Sequence, residues 1–277
     1  QLSPNQYYIQ LLENRGEPLS REVLQAAYIA DIEADLPIDF PARLPDGLED
    51  VPGTQLIWLQ NESNARKPLA DRVEQLILQC LQKQSRWKRE ELEARIYAQY
   101  NGGLTPEPEL VKTCIDAYTV AGQHYVTLRQ EDTPNTRKDE LRESRLKIKQ
   151  LGVQLGFTVG RRLNADIVWK QKGHISYLFR FSSTALLSQS LANVSRFQSN
   201  ERRCLVLPGG RASLVALKLR RDPRFQTVVT RYNWVFVKFR HLRRMLAEIK
   251  HRGEIDFYLG LDPIVEKDTV QIPLPLG

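Results

Sequence analysis

The sequence predicts an α+β chain with two unlike halves: a mostly helical N-terminal part, then an α/β domain built on a mixed sheet. Three observations carry this. Apolar residues recur at helical spacing through residues 5–35 and 67–119, whereas after residue 156 alternating runs and helical runs take turns. The composition is globular, with 42% hydrophobic and 26% charged residues in 277, enough for one large or two ordinary domains. Charge is also segregated. Residues 1–60 carry 3 basic and 10 acidic side chains, and residues 61–136 carry 10 and 11. Residues 137–252 carry 26 and 7, a net +19 inside a whole-chain charge of +7. That segment reads as polyanion-binding, with an ordinary solvated basic surface as the plainer alternative.

Several classes are excluded. Cys80, Cys114 and Cys204 are far apart, which leaves no disulfide framework and no CxxC motif and suggests a reducing, cytoplasmic setting. His124, His174, His241 and His251 lack zinc-ligand spacing, and there is no Gly-x-Ser-x-Gly elbow. No apolar run approaches the roughly 18 residues of a membrane span, and no signal pattern opens the chain. The chain begins at Gln1 and its only methionine is Met245, so a segment of a longer polypeptide is expected.

The elements follow in order. Residues 5–14 and 20–35 read as helices, the second N-capped by Ser20 with Val23, Leu24, Ala27 and Ile32 at near-helical spacing. Pro37, Pro41, Pro45, Gly47, Pro52 and Gly53 mark an irregular linker, and Gln55–Leu59 reads as a short strand. Residues 1–62 are expected to form an acidic appendage.

In residues 63–132 Pro68 opens a helix whose apolar face is Leu69, Val73, Leu76, Ile77, Cys80 and Leu81. A second helix carries Leu92, Ile96 and Tyr97 and ends at Asn101-Gly102-Gly103; a third carries Leu110, Val111, Cys114, Ile115 and Tyr118. Gly122 turns the chain into the strand Tyr125–Leu128. Three short helices and a strand resemble a winged helix. Such a fold often lays its third helix in the major groove. Here that helix offers Lys112 against Glu109 and Asp116, which suits a structural or protein-binding role better than phosphate contact.

Residues 133–277 open on a long basic helix, 137–156, with Arg137, Lys138, Arg142, Arg145, Lys147 and Lys149 on one side and Leu141, Leu146, Ile148 and Leu151 buried. Strands are expected at Phe157–Val159, Ala165–Trp169, Ile175–Phe181, Cys204–Leu207 and Trp234–Phe239, with helices at Ser183–Phe197, Ala212–Arg221 and Leu242–Lys250. Trp169, Tyr177, Phe179 and Trp234 fall on strands and read as core.

This order, with an acid on the second strand, resembles the PD-(D/E)xK restriction-endonuclease-like fold over residues 137–252. The resemblance implies an Asp on one strand and a Glu-x-Lys on the next, the carboxylates holding Mg²⁺. Asp166 matches the first position, but Arg180 stands where the second carboxylate belongs and Ser182 where the Lys belongs. No Asp or Glu lies between Asp166 and Glu201, and Gln189 is the only candidate on the following helix. The resemblance therefore implies a degenerate nuclease fold with no metal and no cofactor, in which Asp166 reads as a strand residue that either faces solvent or is salt-bridged, with Arg180 as one candidate partner. An active Mg²⁺ nuclease, with Glu140 or Glu143 completing Asp166, is the alternative. A second resemblance spans the chain: Arg66-Lys67-Pro68-Leu69-Ala70-Asp71-Arg72-Val73-Glu74, followed by the two patterns above, is similar to the C-terminal region of large bacterial DNA methylases. It implies association with DNA modification or phage defence, without methyl transfer by this segment, which has no Asp/Asn-Pro-Pro-Tyr motif.

The expected DNA contacts are Arg142, Arg145, Lys149, Arg161, Arg162, Arg202, Arg203, Arg211, Lys218, Arg220, Arg221, Arg224, Lys238 and Arg240. Pro208-Gly209-Gly210-Arg211 precedes a helix and reads either as a simple turn or as a phosphate contact. The sequence thus predicts a non-catalytic DNA-binding module of a larger protein, with no membrane partner. A protein-interaction module docking an acidic partner, which residues 1–60 could supply in cis, is the other reading.

Overall fold

The structure is a computed structural model that describes residues 2–32, 40, 41, 43–122, 124–162, 165–191 and 201–261. It is mixed α and β, as the patterning predicts, and divides into two compact units. One is Gln1–Leu128 with Leu217–Pro223; the other is Arg129–Ala216 with Arg224–Gly277. The sequence boundary at 132/133 lies close to this division, while 62/63 falls inside the first unit.

In the first unit α1 (Pro4–Arg15) starts on a capping box between Ser3 and Gln6 and ends at Gly16, whose φ of 71° is left-handed. Glycine is required there twice over, because a Cβ would also run into the backbone of Arg66 and Lys67. β1 (Leu19–Ser20) leads to α2 (Arg21–Asp31), capped by the Ser20 side chain as expected. β2 (Leu48–Asp50) and β3 (Leu56–Leu59) complete a three-stranded sheet in the order β1-β3-β2, antiparallel throughout. The stretch read as an irregular linker therefore contains a strand. Pro45 and Pro52 bracket β2 without entering it, so neither removes a ladder hydrogen bond. Tyr8, Leu12, Leu24 and Ile57 are fully buried between these elements.

The same unit continues through α3 (Leu69–Lys83), β4 (Arg86–Lys88), α4 (Arg89–Gln99), α5 (Pro108–Tyr118), β5 (Thr119–Ala121) and β6 (Tyr125–Leu128). The second sheet runs β4-β6-β5, with Trp87 opposite Val126 and Val120 opposite Thr127. The order is helix, strand, helix, helix, hairpin, so the three helices and the strand Tyr125–Leu128 of the sequence reading are present. β4 was not foreseen, because Arg86-Trp87-Lys88 is short and polar at two of three positions. Val73, Ile77, Leu92, Ile96, Leu110 and Ile115 are buried, so each helix turns its apolar stripe inward.

The second unit opens with α6 (Pro134–Gln154), followed by β7 (Thr158–Arg162), β8 (Ala165–Gln171) and β9 (His174–Phe181). The short α7 (Leu187–Ser190) precedes β10 (Arg202–Leu207). A 3₁₀ turn, Gly209–Arg211, then leads into α8 (Ala212–Arg221), whose second half belongs to the first unit. α9 (Pro223–Arg231), β11 (Trp234–Lys238) and α10 (Phe239–Glu248) follow. The five-stranded sheet has the order β11-β10-β9-β8-β7. β7, β8 and β9 form an antiparallel meander, and β9, β10 and β11 run parallel. The β8–β9 hairpin turns on Lys172 and Gly173, both at positive φ, the conformation that tight hairpins require. β10 is buried from Arg203 to Leu207, which is why it reads as a continuous apolar run instead of an alternation.

The sheet core centres on Trp169. Phe157 stacks on its ring at 5.2 Å, and Phe179 lies at 4.7 Å. Gly152 of α6 passes so close that a Cβ there would meet the indole. Trp169, Phe179 and Trp234 are buried, with Tyr177 partly so, in agreement with their reading as core. Three expectations need correction. Leu146 is 53% exposed and Arg137 is buried instead, because Arg137 is held by two carboxylates. α9, a helix not expected from the sequence, begins at Pro223, with Asp222 alone separating it from α8. Within Ser183–Phe197 only the single turn α7 is helical among the described residues, and positions 192–197 lie outside them.

All three cysteines are buried and free. Burial pushes the Cys114 and Cys204 thiols well above the ordinary range. A thiol reagent such as Ellman's should therefore titrate none of them in the native protein and all of them in denaturant. Rapid native labelling of any cysteine would contradict the packing. Among the described residues no helix is long and apolar enough to cross a membrane.

Candidate polyanion-binding edge of the second unit

The parallel strands end at Phe181, Leu207 and Lys238, and open α/β sheets place their ligands at such carboxyl ends. Two cavities lie there. The first, of about 520 Å³, is lined by Asp166, Arg180, Ser182, Ser183, Thr184 and Gln189 among others. The second, of about 440 Å³, surrounds Gly209 and Gly210 after β10 and Phe239 and Arg240 after β11.

The first cavity contains the residues that the nuclease resemblance singles out. Asp166 sits on β8 beside β9. Its carboxylate accepts the Phe181 N–H at 2.7 Å and pairs with the Arg145 Nε at 3.0 Å. The candidate partner, Arg180, instead donates to the carbonyls of Gln189 and Ser190 at the end of α7. Burial pulls the Arg180 pKa down, against an opposing upward pull from the charge of Asp166. The Ser182 hydroxyl accepts from the Thr184 N–H at 3.1 Å and donates to its carbonyl at 2.8 Å, a local turn and not a lysine-like charge.

This donor set does not fit Mg²⁺. Among the described residues lining the cavity there is one carboxylate, already engaged, beside two guanidiniums, where a hard divalent cation needs several oxygen ligands. The acids considered as substitutes are placed elsewhere. Glu140 pairs with Arg137 and with Arg243 at 3.0 Å, and Glu143 with Lys147 at 2.5 Å.

The expected DNA contacts separate into groups. Arg142, Arg145 and Lys149 fall at i, i+3 and i+7 of α6 and share one face; Arg142 and Lys149 are exposed on either side of the Arg145–Asp166 pair. Arg161 and Arg240 are exposed too. Arg162 pairs with Glu201 at 2.9 Å, Arg202 donates to the Asn233 side chain, and Arg224 is half-buried.

Four others are buried and so corrected as phosphate contacts. Arg203 is 0% exposed, held by Glu201 and the Tyr232 carbonyl. Arg211 is 0% exposed, bound to Asp132 and to the Ser183 carbonyl at 3.3 Å, so it braces the Gly-Gly turn from inside. Lys238 lies at the buried end of β11. Lys218 belongs to the first unit, where it is 1% exposed between Asp71 and Glu74.

Its neighbours are in use as well: Arg220 pairs with Glu109 at 2.6 Å, and Arg221 with Glu17 at 3.0 Å and Glu107 at 2.6 Å. Among these acids Glu17 alone belongs to residues 1–60, and it meets Arg221 inside one unit. Arg129 and Arg137, which the sequence reading did not count as contacts, line the second cavity, as does Arg243, read there as one of the basic pairs near element ends. The i, i+3 spacing of Arg240 and Arg243 at the start of a helix was the available signal. No family model, no curated protein and no solved structure matches the chain.

Proposed function

We propose that the second unit binds the phosphate backbone of DNA along the exposed face of α6 and the adjoining sheet edge, without cutting it. The observation that carries this reading is the α6 face. Arg142 and Lys149 stand free in solvent beside a nuclease-like position whose single carboxylate is taken by Arg145 and a backbone N–H. The reading is supported further by the element order shared with the nuclease fold. On this reading the chain is a recognition module of a larger DNA-modification or defence protein, and the free thiols fit a cytoplasmic setting. The helix α5 makes no phosphate contact on this reading, since it presents Glu109 and Asp116, each matched to a cation of the chain itself.

Salt dependence tests the proposal. With about four phosphates neutralised, duplex affinity should fall roughly a hundredfold between about 50 and 200 mM salt. The Arg142→Ala/Lys149→Ala double variant should flatten the log–log slope by about two. An affinity indifferent to salt rejects backbone binding. Mg²⁺-dependent plasmid cleavage that disappears in Asp166→Ala would show that the chain cuts DNA after all.

A further inference from the structure

The second cavity has a construction the first lacks. β10 runs through Gly209 and Gly210 into α8, and β11 runs directly into α10; both are ten-residue helices that begin at the cavity wall. Helix N-termini carry partial positive charge and free N–H groups. Five arginines line the wall, Arg129, Arg137, Arg211, Arg240 and Arg243, against three carboxylates, Glu131, Asp132 and Glu140. Two of these arginines are locked in place. The Asp132 Oδ1 accepts from Arg137 Nε at 2.7 Å and from Arg211, and Glu140 holds Arg137 and Arg243 from the other side. With these two engaged, Arg240 and Arg243 are the exposed arginines that an incoming anion meets.

A second observation narrows the ligand. Asp132 is 3% exposed, and its Oδ2 has no hydrogen-bond partner among the described residues. A buried acceptor left open calls for a donor. An inorganic phosphate dianion has a single hydroxyl to give, whereas a nucleoside supplies several donors, its sugar hydroxyls and base amino groups. The volume of about 440 Å³ is also in the range of small-molecule sites and larger than an inorganic anion needs.

We propose that this cavity binds one phosphorylated nucleoside, with the phosphate on Arg240, Arg243 and the Gly209-Gly210 turn and a donor of the nucleoside on Asp132. On the DNA-binding reading, on which this identification of the ligand rests, that unit is the phosphorylated end of a strand. A free mononucleotide carries the same chemistry.

The test compares a labelled oligonucleotide with and without a terminal phosphate, at either end, and in parallel adenosine monophosphate with adenosine by calorimetry. The phosphorylated strand should bind about tenfold more tightly than its hydroxyl twin. In Arg240→Gln/Arg243→Gln, two exposed positions, that ratio should fall to near one. A preference confined to the mononucleotide over adenosine identifies a free nucleotide as the source. Equal binding of both strands with no mononucleotide binding overturns the pocket while leaving backbone binding intact. If neither strand binds at low salt, backbone binding has failed. The calorimetric pair, which needs no variant, then decides the pocket alone.

Discussion

Replacing Lys218 with methionine should destabilise the protein by about 3–5 kcal/mol, the cost of stranding buried charge by removing one member of an ion-paired group. The ammonium lies 2.6 Å from Asp71 and also donates to Glu74, with all three side chains at least 97% buried. Glu74 in addition accepts the Tyr118 hydroxyl. Methionine matches the length of lysine, so the loss is electrostatic and not a cavity effect. Urea unfolding followed by tryptophan fluorescence measures it, with Trp58 and Trp87 as reporters in this unit.

The discriminating control is Lys218→Met/Asp71→Asn/Glu74→Gln. Neutralising all three should restore most of the loss, because a buried charge cluster is weak evidence for net stability even where breaking it is severe. A triple variant as unstable as the single one would mean that hydrogen-bond geometry, and not charge balance, holds the site. The pH dependence follows from the sign of the shift. Burial works to lower the lysine pKa, but Glu74 and Asp71 outweigh it and the net shift is upward. Stability from this group is therefore fully present below the unfolded lysine pKa, near 10.4, and is lost only as pH climbs through the higher folded value. Across neutral pH it should be flat.

The second large effect is expected at Asp132. Asp132→Ala removes the carboxylate shared by Arg137 and Arg211, two guanidiniums that are 8% and 0% exposed as residues. A loss of about 3–5 kcal/mol is again expected, this time in the second unit, where Trp169 and Trp234 report. Arg211 also anchors the Gly209–Arg211 turn, so the variant should loosen the start of α8 and raise amide exchange there before global unfolding. A change below about 1 kcal/mol would mean that the Arg137–Glu140 pair and the Ser183 carbonyl suffice to keep both arginines satisfied.

How much of this was legible follows from what each signal measures. Helical periodicity located α3, α4 and α5, because their apolar stripes face one core. The β-rich second half followed from alternation, whereas the hairpin on Lys172 and Gly173 had not been read. The polar β4 and the proline-flanked β2 carry no such pattern; their pairing is decided by distant strands. Charge counting found the right unit but not the right residues, since a count is blind to burial. Periodicity could have corrected it at one site: Lys218 lies four and three residues after Leu214 and Val215, on the apolar face of α8, where a lysine has no place without acids to meet it. Asp166 was legible as a lone acid, but Arg145 as its partner was not, because the pairing depends on how α6 crosses the sheet.

The membership of Leu217–Pro223 in the first unit has a consequence for synthesis on the ribosome. When Leu128 emerges, every helix and strand of the N-terminal unit that precedes it is present, yet Asp71 and Glu74 still lack their cation. The ammonium arrives 90 residues later, at Lys218. At ordinary elongation rates that delay is about 5–20 s. During that interval the nascent N-terminal unit holds two unmatched carboxylates at its centre, so its final packing waits on a helix encoded near the other end of the chain.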